Sequence, residues 1–564
     1  MERRSCRITK QEFAISKLEM EAFAHFGLPL PDFSPPERFR RYAAFHPEKH
    51  FYLRNCSATG AKLFSVFPPS TSFPVVALDF WRSSDWDASA FGLEFDFKRL
   101  FAEQLTELWR KVPRPAVQFS DAARSRIVSN VHQASDSFLV FDSVEIQQCL
   151  YSTELVGCRS CIDCHGLDRC ERCYETIRCS SCFDLRFSEL CLDCRDSWFL
   201  FNCQGCRDCF GCVNLVGKQY YLFNEPLTKE QYEAELSAMD LAARSLLEGA
   251  RNHFHELLQQ QPLPHLFSDD PSSTSGNYLT RTTNAALCFE CVDCDDIACC
   301  HNIYSGEQLL DCVNGFDLRN SVQSIACMGG RSLQNCISCG PEVSDIAYCV
   351  ACEHSHNLFG CIAMRNAEYC IFNTQYSKSE YRRLRAQIEK HLRERSVWGS
   401  FFPASLSPFP YNRSAANEMM PMARVPAQLM GYPWDTSDTG ILPSELLGRL
   451  DVAPEHLYAE LPERTAGLTP ERVSELVFIC ELTGRPYQIA PDELTLLNSL
   501  GVPPPNRCFH QRHLDRIGRM APHRLVDRVC ADSNAPLETA FGERYKQQVL
   551  SRPLWAQRVA WGGA

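Results

Sequence analysis

The chain of 564 residues contains no apolar run of 18 or more residues, which excludes a membrane-spanning helix of ordinary length. Its first residues, MERRSCRITKQEF, hold no apolar core of the kind a signal peptide needs. No Gly-rich phosphate loop, no HExxH and no GxSxG occurs, so the common signatures of phosphate cradling, zinc proteolysis and serine hydrolysis are missing. An excess of positive charge is missing too. The net charge is -12, and an average field of that sign repels a phosphate backbone. Nucleic acid is therefore disfavoured as a general partner, although a local basic patch is not excluded. The expectation is a cytoplasmic protein without a membrane association.

What the chain has in abundance is cysteine, 32 residues of it. In a reducing compartment most of these are thiols or metal ligands rather than disulfides. Hydrophobic content of 45% and charged content of 22% are ordinary for a globular chain long enough for several domains.

Two internal duplications organise the sequence. Cys6, the Gly27-Leu28-Pro29 turn and Cys56 recur at Cys480, Gly501-Val502-Pro503 and Cys530, all three at one constant offset. Phe210-Gly211-Cys212 and Tyr232 recur at Phe359-Gly360-Cys361 and Tyr381, again at a single offset. Each copy of this second duplication ends in a predicted helix with a capping box, Thr228 with Gln231 and Ser377 with Glu380.

Between Cys149 and Cys212 lie fourteen cysteines, all with residue numbers that leave remainder 2 on division by three. Chance would do this about once in a million tries, so the spacing is a repeat signal. Non-cysteine positions of the same register, such as Val140, Leu155, Thr176, Ser188 and Leu200, are small or apolar, while Arg159, Asp163, Arg172 and Glu175 occupy the other two. A period of three fits neither a helix nor a strand. CxxC pairs start at 158, 170, 179, 191 and 203, steps of mostly twelve. A coil of about twelve residues, turning every three, would point each third side chain inward: a narrow β-solenoid. In the second copy Cys288, Cys291, Cys294, Cys300, Cys312, Cys327, Cys336 and Cys339 share one register and Cys349, Cys352, Cys361 and Cys370 another. One inserted residue between Cys339 and Cys349 accounts for the change, and Cys299 fits neither register.

Three roles stay open for the ladder. The thiols fill a thin core as small hydrophobes. Alternatively, pairs from neighbouring coils (Cys158, Cys161, Cys170, Cys173, Cys179, Cys182, Cys191, Cys194, Cys203 and Cys206) ligate zinc, or they carry disulfide or redox chemistry. Cys161-Ile162-Asp163-Cys164-His165 also matches a haem-attachment pattern, but both cysteines belong to the ladder.

At the ends, CRIT, CSATG, CELTG and CADS begin at Cys6, Cys56, Cys480 and Cys530. They resemble the CxxCG knuckle of a zinc ribbon with its second cysteine replaced by Thr or Ser, and a hydroxyl is a poor zinc ligand. The fullest remaining ligand set is Cys480, Cys508, His510 and His513; the N-terminal counterparts Ser34, Pro36 and Phe39 offer none. Six arginines between Arg507 and Arg528 form a local basic stretch, read either as a solvated helix face or as a site for an acidic partner or RNA.

The run FYLRNCSATGAKLFSVFPP, then WRSSDWD, VPRPA, LFN with TKEQY, IFN with SKSEY, GSFFPASLSPFPYN and CELTGRPYQI, resembles a large uncharacterised family of cysteine-rich, zinc-ribbon-like bacterial proteins, abundant in ultra-small uncultivated bacteria. The resemblance implies zinc-ribbon ancestry and no particular activity. Members of that family carry a CPDCRH-like run where this chain has CFHQRH, so Gln511 stands in place of a ligand cysteine.

The expected fold is mainly β with helices: two short cysteine-laddered β-solenoid segments flanked by duplicated zinc-ribbon-like modules. The expected divisions are an N-terminal module and helix at 1–116, a first solenoid with closing helix at 131–260, a second at 276–396, a Pro-rich connector at 397–470 and a C-terminal module at 471–564. The expected function is a non-enzymatic, zinc-binding scaffold or interaction protein with a protein partner. The alternatives are a thiol redox protein using one CxxC pair and an RNA-binding protein using the C-terminal arginines.

Overall fold

The computed structural model describes residues 2–25, 27–47, 51–117, 119–125, 127–268, 274–283, 285–295, 306–307, 315–322, 327–436 and 458–559. It mixes helices with strands spread over many small sheets. No helix among the described residues is long and apolar enough to cross a membrane. The chain divides into two compact units, Met1–Ala116 with His265–Asp438 and Ala521–Arg544, and Val117–Pro264 with Thr439–Met520 and Tyr545–Ala564.

The second of these is built on parallel strands that pair twelve residues apart. Ser143 follows Val131, His165 follows Thr153, Arg195 follows Phe183 and Gln219 follows Arg207. Single bridges keep the same step between strands, as from Ile162 to Tyr174 and on to Arg186. One rung of the ladder is thus twelve residues. Its corners lie at every third residue, in the left-handed region: Asp163 has φ 56°, Glu175 48° and Phe199 54°. For a residue with a Cβ that conformation costs about 1–2 kcal/mol. Hydrogen bonds to both neighbouring rungs offset it: the Asp163 N–H reaches Leu150 O at 3.1 Å, and the Ile162 N–H reaches Cys173 O at 2.9 Å.

The residue after each corner points inward, and its N–H runs along the stack onto the inner side chain of the rung before. Ser152 Oγ accepts from the Cys164 N–H at 3.1 Å, Ser188 Oγ from Leu200 at 3.1 Å, and Cys179 Sγ from Cys191 at 3.3 Å. A side chain that can both accept and donate within a narrow core suits this position. That accounts for the mixture of Cys, Ser and Thr there. Gly211 is required for a different reason: a Cβ there would run into the Phe223 ring one rung on, and Gly360 stands in the same relation to Phe372.

One column of corners, Tyr151, Asp163, Glu175, Phe187 and Phe199, forms a docking face. Helix Phe509–Arg519 places Arg512 and Arg516 on Asp163 at 2.6 and 2.7 Å. Helix Arg244–Gln260 places Arg251 on Glu175 at 3.0 Å and packs Phe254 against Phe199. Asp163, in a register that points outward, is consequently fully buried. After the last rung the chain enters helix Lys229–Ala238 through the Thr228–Gln231 capping box.

In the other unit strands Gly315–Val322, Cys327–Gln334, Val343–Ala347, His356–Phe359 and Glu368–Ile371 pair in order. The step is twelve from Gly315 to Cys327 and from His356 to Glu368, but thirteen from Gly330 to Val343. The longer rung coincides with the change of cysteine register. Cys299, Cys300 and Cys312 lie outside the described residues. Helix Lys378–Glu394 follows, with the Ser377–Glu380 capping box.

The end modules share one order of elements. Hairpin Glu2–Ser5 with Glu12–Ile15, helices Lys17–His25 and Pro35–Ala43, and hairpin Tyr52–Asn55 with Lys62–Ser65 open the chain. Hairpin Phe478–Ile479 with Pro486–Tyr487, helices Pro491–Leu500 and Phe509–Arg519, and hairpin Val526–Val529 with Pro536–Thr539 repeat them at the offset that relates Cys6 to Cys480. A buried ion pair repeats at the same offset: Arg38 with Glu19 at 2.7 Å and Arg512 with Glu493 at 2.9 Å.

Candidate functional site

Every cysteine whose side chain is described is buried and unpaired by disulfides. In the first ladder each thiol faces the carbonyl two residues before it, and most also face the one nine residues after. Cys158 Sγ lies 3.3 Å from Val156 O and 3.5 Å from Leu167 O; Cys164 Sγ lies 3.2 Å from Ile162 O and 3.4 Å from Cys173 O. Cys161, Cys170, Cys173, Cys179, Cys182, Cys191, Cys194, Cys203 and Cys206 meet the same first carbonyl at 3.0–3.6 Å. A carbonyl asks for a proton donor, so this environment favours the thiol form.

The sulfurs also touch one another. Hydrogen bonds from Cys161 and then Cys170 pull the Cys173 thiol down to about 6, and bonds with Cys149, Cys158, Cys164 and Cys173 hold the Cys161 proton in place. Neighbouring thiols of the ladder are thus coupled, one lowered where the next is raised. None is open to solvent: Cys182, among the most accessible of them, is 3% exposed.

A tetrahedral zinc site asks for more than this geometry supplies. Four ligands at a zinc–sulfur distance of about 2.3 Å set the sulfurs about 3.8 Å apart in every pair. Among the described residues no three cysteine sulfurs lie within 4.8 Å of one another. The ladder offers donors of the right chemistry in rows, not a preformed tetrahedron.

The knuckles differ from the ladder. Burial raises the Cys6 thiol, but the Ser34 N–H and the Thr9 hydroxyl and N–H outweigh it and bring the group down to about 7. Cys56 and Cys480 are lowered in the same way, with Thr59 and Thr483 supplying the hydroxyl. The threonine three residues after each cysteine thus acts as a donor to sulfur, where a zinc ribbon would place a second ligand. Position 34 carries Ser, whose hydroxyl lies 3.5 Å from Cys6 Sγ, and its counterpart in the second copy is Cys508. The structure brings Cys508 against Cys480, and burial, with that neighbouring sulfur, pushes its thiol up. His510 and His513 lie on the same helix, one partly and one fully buried, but among the described residues no third ligand atom comes within 4.8 Å of both sulfurs.

The basic stretch is largely consumed within the chain. Arg507 pairs with Asp515, Arg512 and Arg516 with Asp163, and Arg519 with Glu189, while Arg528 donates to Phe541 O. An open arginine face for RNA is not what these side chains form.

Sequence reasoning missed the buried polar contacts of the first ladder, among them one with an imidazole. His165 Nε2 lies 3.2 Å from Glu154 Oε2, and His165 Nδ1 lies 2.6 Å from Thr153 Oγ1. Thr153 and His165 are twelve residues apart, so the rung length itself was the signal. Thr153 at Nδ1 and the Arg178 guanidinium, 3.4 Å from Nε2, engage both ring nitrogens of the imidazole that the haem-like motif would have used. No family model, no curated protein and no solved structure matches the chain.

Proposed function

We propose that this chain is a non-catalytic scaffold: two β-solenoid segments with thiol-lined cores, flanked in sequence by ribbon-like modules at 1–116 and 471–564, that present regular surfaces to a protein partner. One observation carries the reading. The thiols spend their protons on backbone carbonyls inside a closed core, which is a structural use of cysteine. A catalytic thiol needs exposure as well as a lowered pKa, and the ladder's thiols, although some are lowered, are closed to solvent. Repeated rungs give long, even faces, and recognition is the usual work of such surfaces. Unpaired cysteines on this scale fit the reducing cytoplasm.

Zinc belongs to a second reading, favoured by the contact between Cys480 and Cys508, which supplies two of four ligands. The family resemblance supports zinc-ribbon ancestry for that module.

A native-versus-denatured thiol count with elemental analysis tests both. On the scaffold reading very few thiols react in the folded protein and nearly all react in denaturant. Rapid native labelling of one CxxC pair would replace it with the redox alternative. Zinc that is lost on Cys480→Ser supports the second reading; zinc-free protein made without chelators ends it.

A further inference from the structure

The first unit holds a cleft of about 1000 Å³. Its lining includes five arginines and a single acid, Asp32, in a chain whose net charge is -12. Arg38 is used on Glu19. Arg4 is held by Leu30 O at 3.0 Å and by Glu2. The Arg41 guanidinium lies 4.3 Å from the Phe33 ring centre and donates to Phe402 O at 3.5 Å. Arg393 lies 5.0 Å over the Trp398 ring. The Arg7 side chain is exposed, and no described residue takes its guanidinium.

The second copy of the module serves as an internal control. At the positions of Arg4, Arg7 and Arg41 it carries Phe478, Glu481 and Asp515. The same hairpin and the same two helices form around those residues. The fold of the module therefore does not require the arginines. The buried Arg38, which it does require, is kept as Arg512.

Guanidinium groups match phosphate oxygens with paired donors, and aromatic rings present faces on which a planar base stacks. Trp398 also lines the cleft; its indole N–H is buried and has no acceptor among the described residues. We infer that this cleft binds a nucleotide, its phosphate on Arg7 and Arg41 and its base against the aromatic wall that includes Phe33. The ligand is either a free nucleotide or a nucleotide of a single RNA strand.

Calorimetric titration of the full chain with AMP, ATP, inorganic phosphate, a short single-stranded RNA and an acidic peptide tests this. Nucleotides are expected to bind more tightly than inorganic phosphate. Arg7→Glu with Arg41→Asp, which installs the residues of the second copy, is expected to weaken binding at least about tenfold. That is about 1.4 kcal/mol. Phe33→Leu should weaken nucleotide binding by more than it weakens inorganic phosphate, which loses only the ring that Arg41 stacks on. Arg172→Glu, on the first ladder, should change nothing. RNA binding tighter than AMP and steeply salt-dependent assigns the ligand to a strand; equal affinities assign it to free nucleotide. No binding of any nucleotide, binding untouched by the double substitution, or equal binding of an acidic peptide overturns the inference.

Discussion

The two copies of the end module agree at the buried ion pair and the knuckle threonine, and disagree at the residues that line the cleft in the first copy. Both keep a Glu–Arg pair between their two helices, and both keep a threonine that donates to the knuckle sulfur. They part at position 34, Ser against Cys508, and at the cleft positions, Arg against Phe, Glu and Asp. The comparison separates what a module needs in order to fold from what each copy does afterwards.

The sharpest way to break it is at the shared pair. Removing one partner of a buried ion pair costs about 3–5 kcal/mol. Arg512→Leu should reach the upper end, because it strands both Glu493 and Asp163, whereas Arg38→Leu strands only Glu19. Chemical denaturation of the two variants checks this; equal losses would mean that Asp163 finds full compensation in Arg516.

The two ladders allow a similar contrast. Gly211→Ala and Gly360→Ala each drive a Cβ into the aromatic ring of the next rung, an overpacking cost of about 1–3 kcal/mol. A comparable drop in melting temperature is expected from both. In the first ladder, Ser152→Ala leaves the Cys164 N–H without its acceptor and should cost about 1–3 kcal/mol, with Ser152→Cys recovering part of it.

A smaller effect concerns the knuckles. Because the folded Cys6 thiol sits at about 7, below its ordinary value, its contribution to stability is present at high pH and fades as pH falls through 7. Thr9→Val removes a donor to the sulfur and should move upward the pH at which this contribution fades, read from chemical denaturation across the pH range. Thr483→Val should do the same for Cys480. The smallest effect is on stability at the cleft: Arg7→Glu should stay within about 0.5 kcal/mol of the parent. A larger loss would show that the first copy does depend on its arginine.

Much of this architecture can be read from the chain. The beat of three and twelve assigns inner and outer side chains, and both capping boxes form as their sequences predict. Docking cannot be read in the same way. Periodicity says that Asp163 and Glu175 leave the core of the ladder, but not that arginines from remote helices will cover them. The Glu154–Thr153–His165 contact is of another kind: the twelve-residue step from Thr153 to His165 carries its signal, although composition does not. Likewise, six arginines between Arg507 and Arg528 suggest a basic surface until their acceptors, contributed by distant segments, are known.

A ladder of this kind has a natural unit of length. Adding or deleting a whole rung keeps every inner side chain inner, so such chains can lengthen in twelves without redesign. A single extra residue would turn all later thiols outward unless it were absorbed on the spot. The thirteen-residue step from Gly330 to Val343 does that, and the cysteines beyond it simply resume counting from a new origin.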